Sequence, residues 1–144
     1  MEDVGLVELE AELAQLQTEL NVADRAAAAA LGVGTAEDLQ VLRHLLREDP
    51  VRVGDLARIR GASVATVSAR LDRLEKRGFL TRDRLPGDRR SVAAILTAAG
   101  RPAATASRDR RLDALAQLRT PPRAESIRVL KDAIASIEPA GPSR

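Results

Sequence analysis

The spacing of apolar residues changes sharply within residues 51–97, and this change constrains the fold more than any other feature of the chain. After a short extended stretch, VRV, apolar side chains recur at helical intervals of three and four up to Gly78. The runs FLTRDRL and SVAAILT then flank the turn LPGDRR, a pattern typical of two strands joined by a hairpin. The segment therefore predicts two helices followed by a β-hairpin.

Caps and turns mark the boundaries of the two helices. The first is predicted from about Gly54 to Arg60, and Gly61 provides the tight turn after it. Ser63 is a suitable N-cap for a second helix that runs to about Arg77. Four apolar residues of this second helix are expected to face the core: Val64, Val67, Leu71 and Leu74. This order of elements is that of a helix-turn-helix.

The other faces of the second helix are suited to DNA. Its N-terminal side chains are small or hydroxylated, which would let the helix enter a major groove, and arginines follow to reach base edges or phosphates. The predicted DNA-contacting residues of this helix are Ser63, Ala65, Thr66, Ser68, Ala69, Arg70 and Arg73. A hairpin directly after such a helix forms a two-stranded β wing, and this one is charged near its tip by Arg82, Arg84, Arg89 and Arg90.

The net charge of +2 hides a partition along the chain. Residues 1–57 carry 4 Lys/Arg against 12 Asp/Glu, residues 58–90 carry 10 against 4, and residues 91–144 carry 9 against 5. The basic block therefore coincides with the predicted helix-turn-helix and wing. It indicates a surface for a polyanion, with a merely solvated basic face as the alternative.

A leucine stripe with spacings of three and four runs through the N-terminal segment from Asp3 to about Leu31, which predicts one long helix. At about 1.5 Å per residue it would be roughly 40 Å long, too long for a small domain to cover. We expect the N-terminal segment 1–34 and C-terminal helices in 101–138 to form a dimerisation base. Packing of the N-terminal helix against the basic C-terminal helices is favoured over its parallel pairing with a second copy of itself. The predicted dimer-interface residues are Leu6, Leu9, Leu13, Leu16, Leu20, Leu112, Leu115, Ile127, Leu130 and Ile134.

Between these regions, residues 35–100 are assigned to the DNA-binding lobe. Thr35 is a plausible N-cap for a helix from Ala36 to Arg47 that opens the lobe. Pro102 should kink the following helix or delay its start, because proline past the first turn removes a hydrogen bond. Residues 139–144 are expected to be frayed.

Several function classes are disfavoured by composition. The chain has no cysteine, one histidine and a single aromatic residue, Phe79, and it lacks a Gly-rich phosphate loop and metal-ligand spacing. We therefore expect no enzymatic activity, no metal and no cofactor. No run approaches the ~18 apolar residues of a spanning helix, and the N-terminus lacks the pattern of a signal peptide, so a cytoplasmic protein without membrane contact is expected.

The run LARIRGASVATVSARLDRLEKRGFLTRDRLPGDRRSVAAILTAAG, residues 56–100, resembles the DNA-binding lobe of the MarR family of transcriptional regulators. The resemblance includes Asp88, Arg90, Leu96-Thr97 and Gly100 at the family's spacing. It implies a mainly α fold in a single domain, 1–144: a winged helix-turn-helix lobe with a two-stranded wing on a helical base formed by two subunits.

By the same resemblance, the helix at 63–77 reads the major groove, Arg90 enters the adjacent minor groove and Asp88 helps to hold the wing tip. Arg89 competes with Arg90, but neighbouring strand residues point to opposite faces. The expected function is that of a homodimeric regulator, a repressor in type, that binds double-stranded DNA at an inverted repeat and is released by a small-molecule effector of unknown identity. A winged-helix protein-interaction module and a PadR-like regulator are the alternatives.

Overall fold

The computed structural model describes residues 3–117 and, further along the chain, residues 128 and 132. The described segment 3–117 contains five helices and three strands. In chain order they are α1 (Asp3–Leu31), α2 (Ala36–Arg47), β1 (Val51–Arg52), α3 (Val53–Arg60), α4 (Val64–Lys76), β2 (Leu80–Leu85), β3 (Asp88–Leu96) and α5 (Gly100–Ala116).

The helix-turn-helix forms where the sequence predicts it, because its boundaries depend on local hydrogen bonds. Thr35 Oγ1 accepts from Asp38 N at 3.1 Å and caps α2. Gly61 ends α3 in the left-handed conformation at φ +61°. Ser63 Oγ then accepts from Thr66 N at 3.1 Å and caps α4.

The three strands form an antiparallel sheet in the order β1-β3-β2. The hairpin of β2 and β3 is the predicted wing, with Leu80 opposite Leu96 and an irregularity at Arg84/Leu85. The two-stranded description is incomplete, since Val51 and Arg52 pair with Ala94 and Ala93 on the other edge of β3. This long-range pairing ties the start of α3 to the base of the wing.

The core of the described chain is aliphatic, as the scarcity of aromatic residues requires. It contains leucines and valines of α2, α3, α4 and the sheet, together with alanines of α1 and α5. Val67, Leu71 and Leu74 are buried as predicted. The prediction for Val64 is wrong: its side chain is 55% exposed, because the first residue of α4 precedes the part of the helix that reaches the core.

Buried charges join α1, α2 and α5. Arg43 donates to both carboxylate oxygens of Asp24 at 2.8 Å and to Ser107 Oγ at 2.8 Å. Arg111 of α5 adds a bond to Asp24 Oδ2 at 2.9 Å. Because the loss of one partner would leave a charge buried and unpaired, this network holds the three helices in one arrangement. It also confirms, within one chain, the expected packing of the acidic N-terminal helix against a basic C-terminal one.

The position at which α5 begins allows Pro102 to lie within a helix. The Thr97 hydroxyl accepts from Gly100 N at 2.9 Å, and the helix begins at Gly100 rather than directly after Thr97. Pro102 then lies in the first turn, where a missing N–H is tolerated. The start is delayed, which was one of the two predicted outcomes.

Some predicted features lie outside the described residues. These are the helix expected near the C-terminus with Ile127, Leu130 and Ile134, the frayed tail 139–144, and the side chains of Leu6, Leu9 and Arg89. The division of the chain into lobe and dimerisation base stays a prediction.

Candidate nucleic-acid interface

The N-terminal half of α4 presents small side chains to solvent. Ala65, Thr66 and Ala69 are exposed, whereas Ser68 and Arg70 are half-buried. Ser63 is exposed and also donates from its hydroxyl to Thr66 Oγ1 at 2.9 Å. Apart from Val64, which is 55% exposed, the exposed residues of α4 ahead of Arg70 carry small side chains, so a flat or grooved partner could approach the helix backbone closely.

The wing tip is organised by one carboxylate. Asp88 Oδ1 accepts from Arg90 N at 3.1 Å, and Asp88 Oδ2 accepts from the Ser91 hydroxyl at 2.7 Å. The Ser91 bond is the main reason, and the Arg90 bond the next, that the pKa of Asp88 is lowered. Asp88 is therefore ionised at neutral pH and fixes the backbone at Arg90, whose side chain is exposed, as is that of Arg84.

A groove of about 460 Å³ separates α4 from the wing. Arg52, Arg82 and Arg90 line it on the side of the sheet, and Val64 and Ser68 line it on the side of α4. This position accounts for the exposure of Val64. The groove brings residues from five elements to one surface, where the three arginines outnumber a single carboxylate, Asp55 of α3.

Two of the predicted DNA-contacting arginines are engaged in ion pairs inside the protein. Arg82 Nε donates to Glu75 Oε2 at 2.8 Å, and its Nη2 contacts Asp72 Oδ1. The bond to Glu75 contributes most to the raised pKa of Arg82. Arg73 Nη2 donates to Asp38 Oδ1 at 3.1 Å. In the part of the chain described, Arg70, Arg84 and Arg90 form no ion pair.

Sequence reasoning missed two residues of this region. Arg52 lines the groove and lies 3.8 Å from Asp88 Oδ2, a position that depends on the pairing of β1 with β3. Arg60, at the end of α3, contacts Gln40 and has a lowered pKa, caused first by burial and then by the charge of Arg70. Membership of the basic block was the only signal for Arg60, and Arg52 lies outside that block.

The predicted dimer face is only partly covered within one chain. Leu20 is 9% exposed and is therefore buried within one chain, and its place in the subunit interface stays a prediction. Leu13 and Leu112 are 47% and 54% exposed, and Leu16 and Leu115 are half-buried. No described helix is long and apolar enough to cross a membrane. Among the described residues, no cluster of histidines or carboxylates could hold a metal ion.

The helix-turn-helix, the hairpin beside it and the groove between them define a winged helix-turn-helix protein. Residues 35–92 match the MarR family model. The chain is therefore similar to the MarR family over its winged-helix segment. It is 39% identical over 71 residues to the uncharacterized HTH-type transcriptional regulator YcgE of Bacillus subtilis (strain 168). This similarity covers 49% of the chain and 46% of YcgE, so the chain matches less than half the length of that relative.

Solved structures resemble the chain over much more of its length. A MarR family regulator from Silicibacter pomeroyi has a TM-score of 0.77 at 23% identity, covering 98% of each chain. Reduced AbfR bound to DNA has a TM-score of 0.66 at 22% identity, covering 94% of each chain. CouR from Rhodococcus jostii RHA1 bound to p-coumaroyl-CoA has a TM-score of 0.71 at 18% identity, covering 86% of each chain. At these identities the likeness establishes the fold.

Proposed function

We propose that the protein is a DNA-binding transcriptional regulator that recognises an inverted repeat as a homodimer. The observation that carries this proposal is the single cationic surface formed by α4, the wing and the groove between them. α4 offers small side chains at its N-terminal end and Arg70 beyond them, the arrangement that suits insertion into a major groove. Arg84 and Arg90 of the wing extend the cationic surface beside it.

In this proposal the residues of the surface have separate roles. Arg70 contacts a base edge, and Ser63, Ala65, Thr66, Ser68 and Ala69 allow close approach to the groove. Arg90, with its backbone held by Asp88, enters the adjacent minor groove, and Arg84 and Arg89 contact phosphates. The DNA-bound state of AbfR, which shares the fold, supports DNA as the partner.

The proposal extends to repression and its release. A homodimer bound at a promoter would block transcription, and a small organic acid or its thioester would release it. CouR, which shares the fold, is bound to p-coumaroyl-CoA, and this supports ligand control for the fold. The chain has only one aromatic residue, so its effector would be held by aliphatic and charged side chains rather than by stacking.

Selection of duplexes from a random-sequence pool by the purified protein tests the function directly. We expect an enriched inverted repeat whose half-site centres lie about one helical turn apart, ~10–10.5 bp, or a multiple of it. The affinity for this duplex should fall steeply with salt, because each neutralised phosphate adds about −0.9 to the slope of log K against log[salt]. No enrichment, together with affinity that is insensitive to salt, would favour a protein-interaction module.

A further inference from the structure

Arg73 of α4 reaches away from the proposed DNA surface to a buried carboxylate of α2. Its Nη2 donates to Asp38 Oδ1 at 3.1 Å, and the Asp38 side chain is 2% exposed. Asp38 lies in the first turn of α2, where its backbone N–H bonds the Thr35 cap. The positive end of the α2 dipole favours an ionised carboxylate at this position.

Arg77, four residues further along, reaches the same place. Its Nη1 donates to the carbonyl oxygen of Gly32 at 2.9 Å, just after the end of α1. The guanidinium lies against Gly34, where a Cβ atom would stand 2.9 Å from Arg77 Nη1 and 3.2 Å from Asp38 Oδ2. Glycine at 34 therefore leaves the space in which the Arg77 guanidinium reaches the turn, with the Asp38 carboxylate on the other side of that space.

The wing also forms ion pairs with α4, but in these pairs the two elements exchange the signs of their charges. There the arginine, Arg82, comes from β2, and the carboxylates, Asp72 and Glu75, come from α4. On the side of the α1–α2 turn, α4 supplies the arginines and receives a carboxylate and a carbonyl. The helix is thus bound by charge on two sides, once to the wing and once to the turn that leads from α1.

We infer that Asp38, Arg73 and Arg77 form a latch that sets the orientation of α4 relative to the α1–α2 turn, and that Arg73 and Arg77 are positioning residues rather than DNA contacts. An arginine that left Asp38 for a phosphate would abandon a desolvated carboxylate in exchange for a solvent-screened ion pair, so the pair with Asp38 is the more stable one. This inference rests on the proposed function, in which α4 reads DNA.

Removal of the Asp38 charge distinguishes a latch from a phosphate contact, because the two roles of Arg73 predict opposite changes in DNA affinity. If Arg73 were a phosphate contact restrained by Asp38, Asp38→Asn would free it and remove a negative charge, and DNA binding would tighten. If the latch orients α4, the same substitution weakens binding to the specific duplex. Non-specific binding depends on charge rather than on fine placement, so it should change little.

The experiment uses the full-length protein and two duplexes: the one that the wild type selects from a random pool, and a scrambled duplex of equal length and composition. Affinities of Asp38→Asn, Arg73→Gln and the double variant are measured across a salt series, with folding checked by circular dichroism. Arg70→Gln is the matched control, since Arg70 lies on the same helix and forms no ion pair in the described structure. Arg73→Lys, which retains the charge, should recover most of the affinity.

We expect Asp38→Asn and Arg73→Gln each to bind the selected duplex about tenfold more weakly than the wild type does. The double variant should lose no more affinity than either single variant. All three variants should bind the scrambled duplex within about twofold of the wild-type affinity. The salt slope should be unchanged for Arg73→Gln and reduced by about one phosphate contact, ~0.9, for an arginine that touches DNA. Tighter or unchanged specific binding by Asp38→Asn, or a reduced slope for Arg73→Gln, would overturn the latch.

Two further measurements keep the inference testable. Should Asp38→Asn fail to fold, Arg73→Gln alone is judged by its salt slope and by its ratio of specific to non-specific affinity. Should the wild type select no duplex, the proposed function fails on its own. The latch is then tested by urea unfolding of the wild type, the two single variants and the double variant, where additive losses of stability would refute coupling between Asp38 and Arg73.

Discussion

At the scale of single residues, the protein places an unusual polar group in its interior. His44 lies on α2 with 6% of its surface exposed, and its buried Nε2 has no hydrogen-bond partner within the described residues. Glu48 Oε2 is the nearest acidic atom, at 3.7 Å. Burial lowers the pKa of His44 below 6.5; Glu48 raises it, and the charges of Arg47 and Arg60 lower it. The neutral imidazole is therefore the form that the fold accommodates.

The stability of the protein should consequently depend on pH in the acidic range. A histidine whose pKa is lowered on folding binds a proton more readily in the unfolded chain, so its contribution is complete above pH 6.5 and declines as the pH falls toward the folded value. We expect the free energy of unfolding, measured by urea titration, to decrease between about pH 7.5 and 5.5. His44→Gln should remove most of this decrease, since the chain has no other histidine. If the free energy of unfolding of His44→Gln decreases as much as that of the wild type, the pH dependence arises from other groups.

The two exposed wing arginines should differ in the kind of DNA recognition they support. Arg90→Ala should weaken binding at many sites, and most where an A/T-rich flank narrows the minor groove and deepens its negative potential. Arg84→Ala, on the opposite strand of the wing, is the matched control and should act as the loss of one phosphate contact. Competition binding to duplexes that differ only in their flanking sequences measures the flank preference of each variant. If Arg90→Ala reduces the salt slope but leaves flank preference intact, the minor-groove role is wrong.

At the scale of elements, the junction between the wing and α5 is a close contact of backbones. A Cβ atom at Gly100 would stand 1.7 Å from the carbonyl oxygen of Phe79, which itself accepts from Thr97 N at 3.1 Å. The first residue of α5 can therefore approach Phe79, the residue before β2, only as glycine. This contact fixes where α5 begins.

Gly100→Ala should be destabilising by about 2 kcal/mol or more, because the backbone of the junction must shift. Gly54→Ala is the control, since Gly54 lies in helix α3 and a Cβ atom added there would have no neighbouring atom within 4 Å. That substitution should be neutral or stabilise by about 0.5–1 kcal/mol. Urea unfolding of the two variants gives the comparison, and similar free energies of unfolding would contradict the close contact.

At the scale of the whole molecule, α1 and α5 each expose a large apolar side chain. Leu13 of α1 is 47% exposed, and Leu112 of α5 is 54% exposed. Single exposed apolar residues are ordinary, but these lie on the long helix and on the helix that packs against it. They are the natural place for the second copy of the proposed homodimer.

Leu13→Glu and Leu112→Glu should shift the protein from a dimer toward the monomer of 15.4 kDa in sedimentation at micromolar concentration, because a buried interface does not accept an unpaired charge. Ile59→Glu is the matched control, since Ile59 is 50% exposed but lies on α3. It should leave the mass unchanged. A wild-type monomer, or dimers that persist in both leucine variants, would show that this face is not the interface.

Local interactions made much of the fold predictable from sequence. The caps at Thr35 and Ser63, the turn at Gly61 and the hairpin after Gly78 each depend on residues within a few positions of one another, so α2, α4 and the wing begin where the sequence predicts. Asp88 could be assigned to the wing tip by resemblance, because its partners Arg90 and Ser91 are its neighbours.

Only the tertiary structure could separate arginines that face DNA from arginines that hold the protein together. In sequence Arg70, Arg73, Arg82 and Arg90 are alike, four cations in one basic block. The fold gives Arg73 a buried carboxylate from a residue 35 positions away and places Arg82 between two acids of α4, and it leaves Arg70 and Arg90 without such partners in the described structure. Ion pairing depends on distance in space and on the solvent around the charges, and neither can be read from composition or spacing.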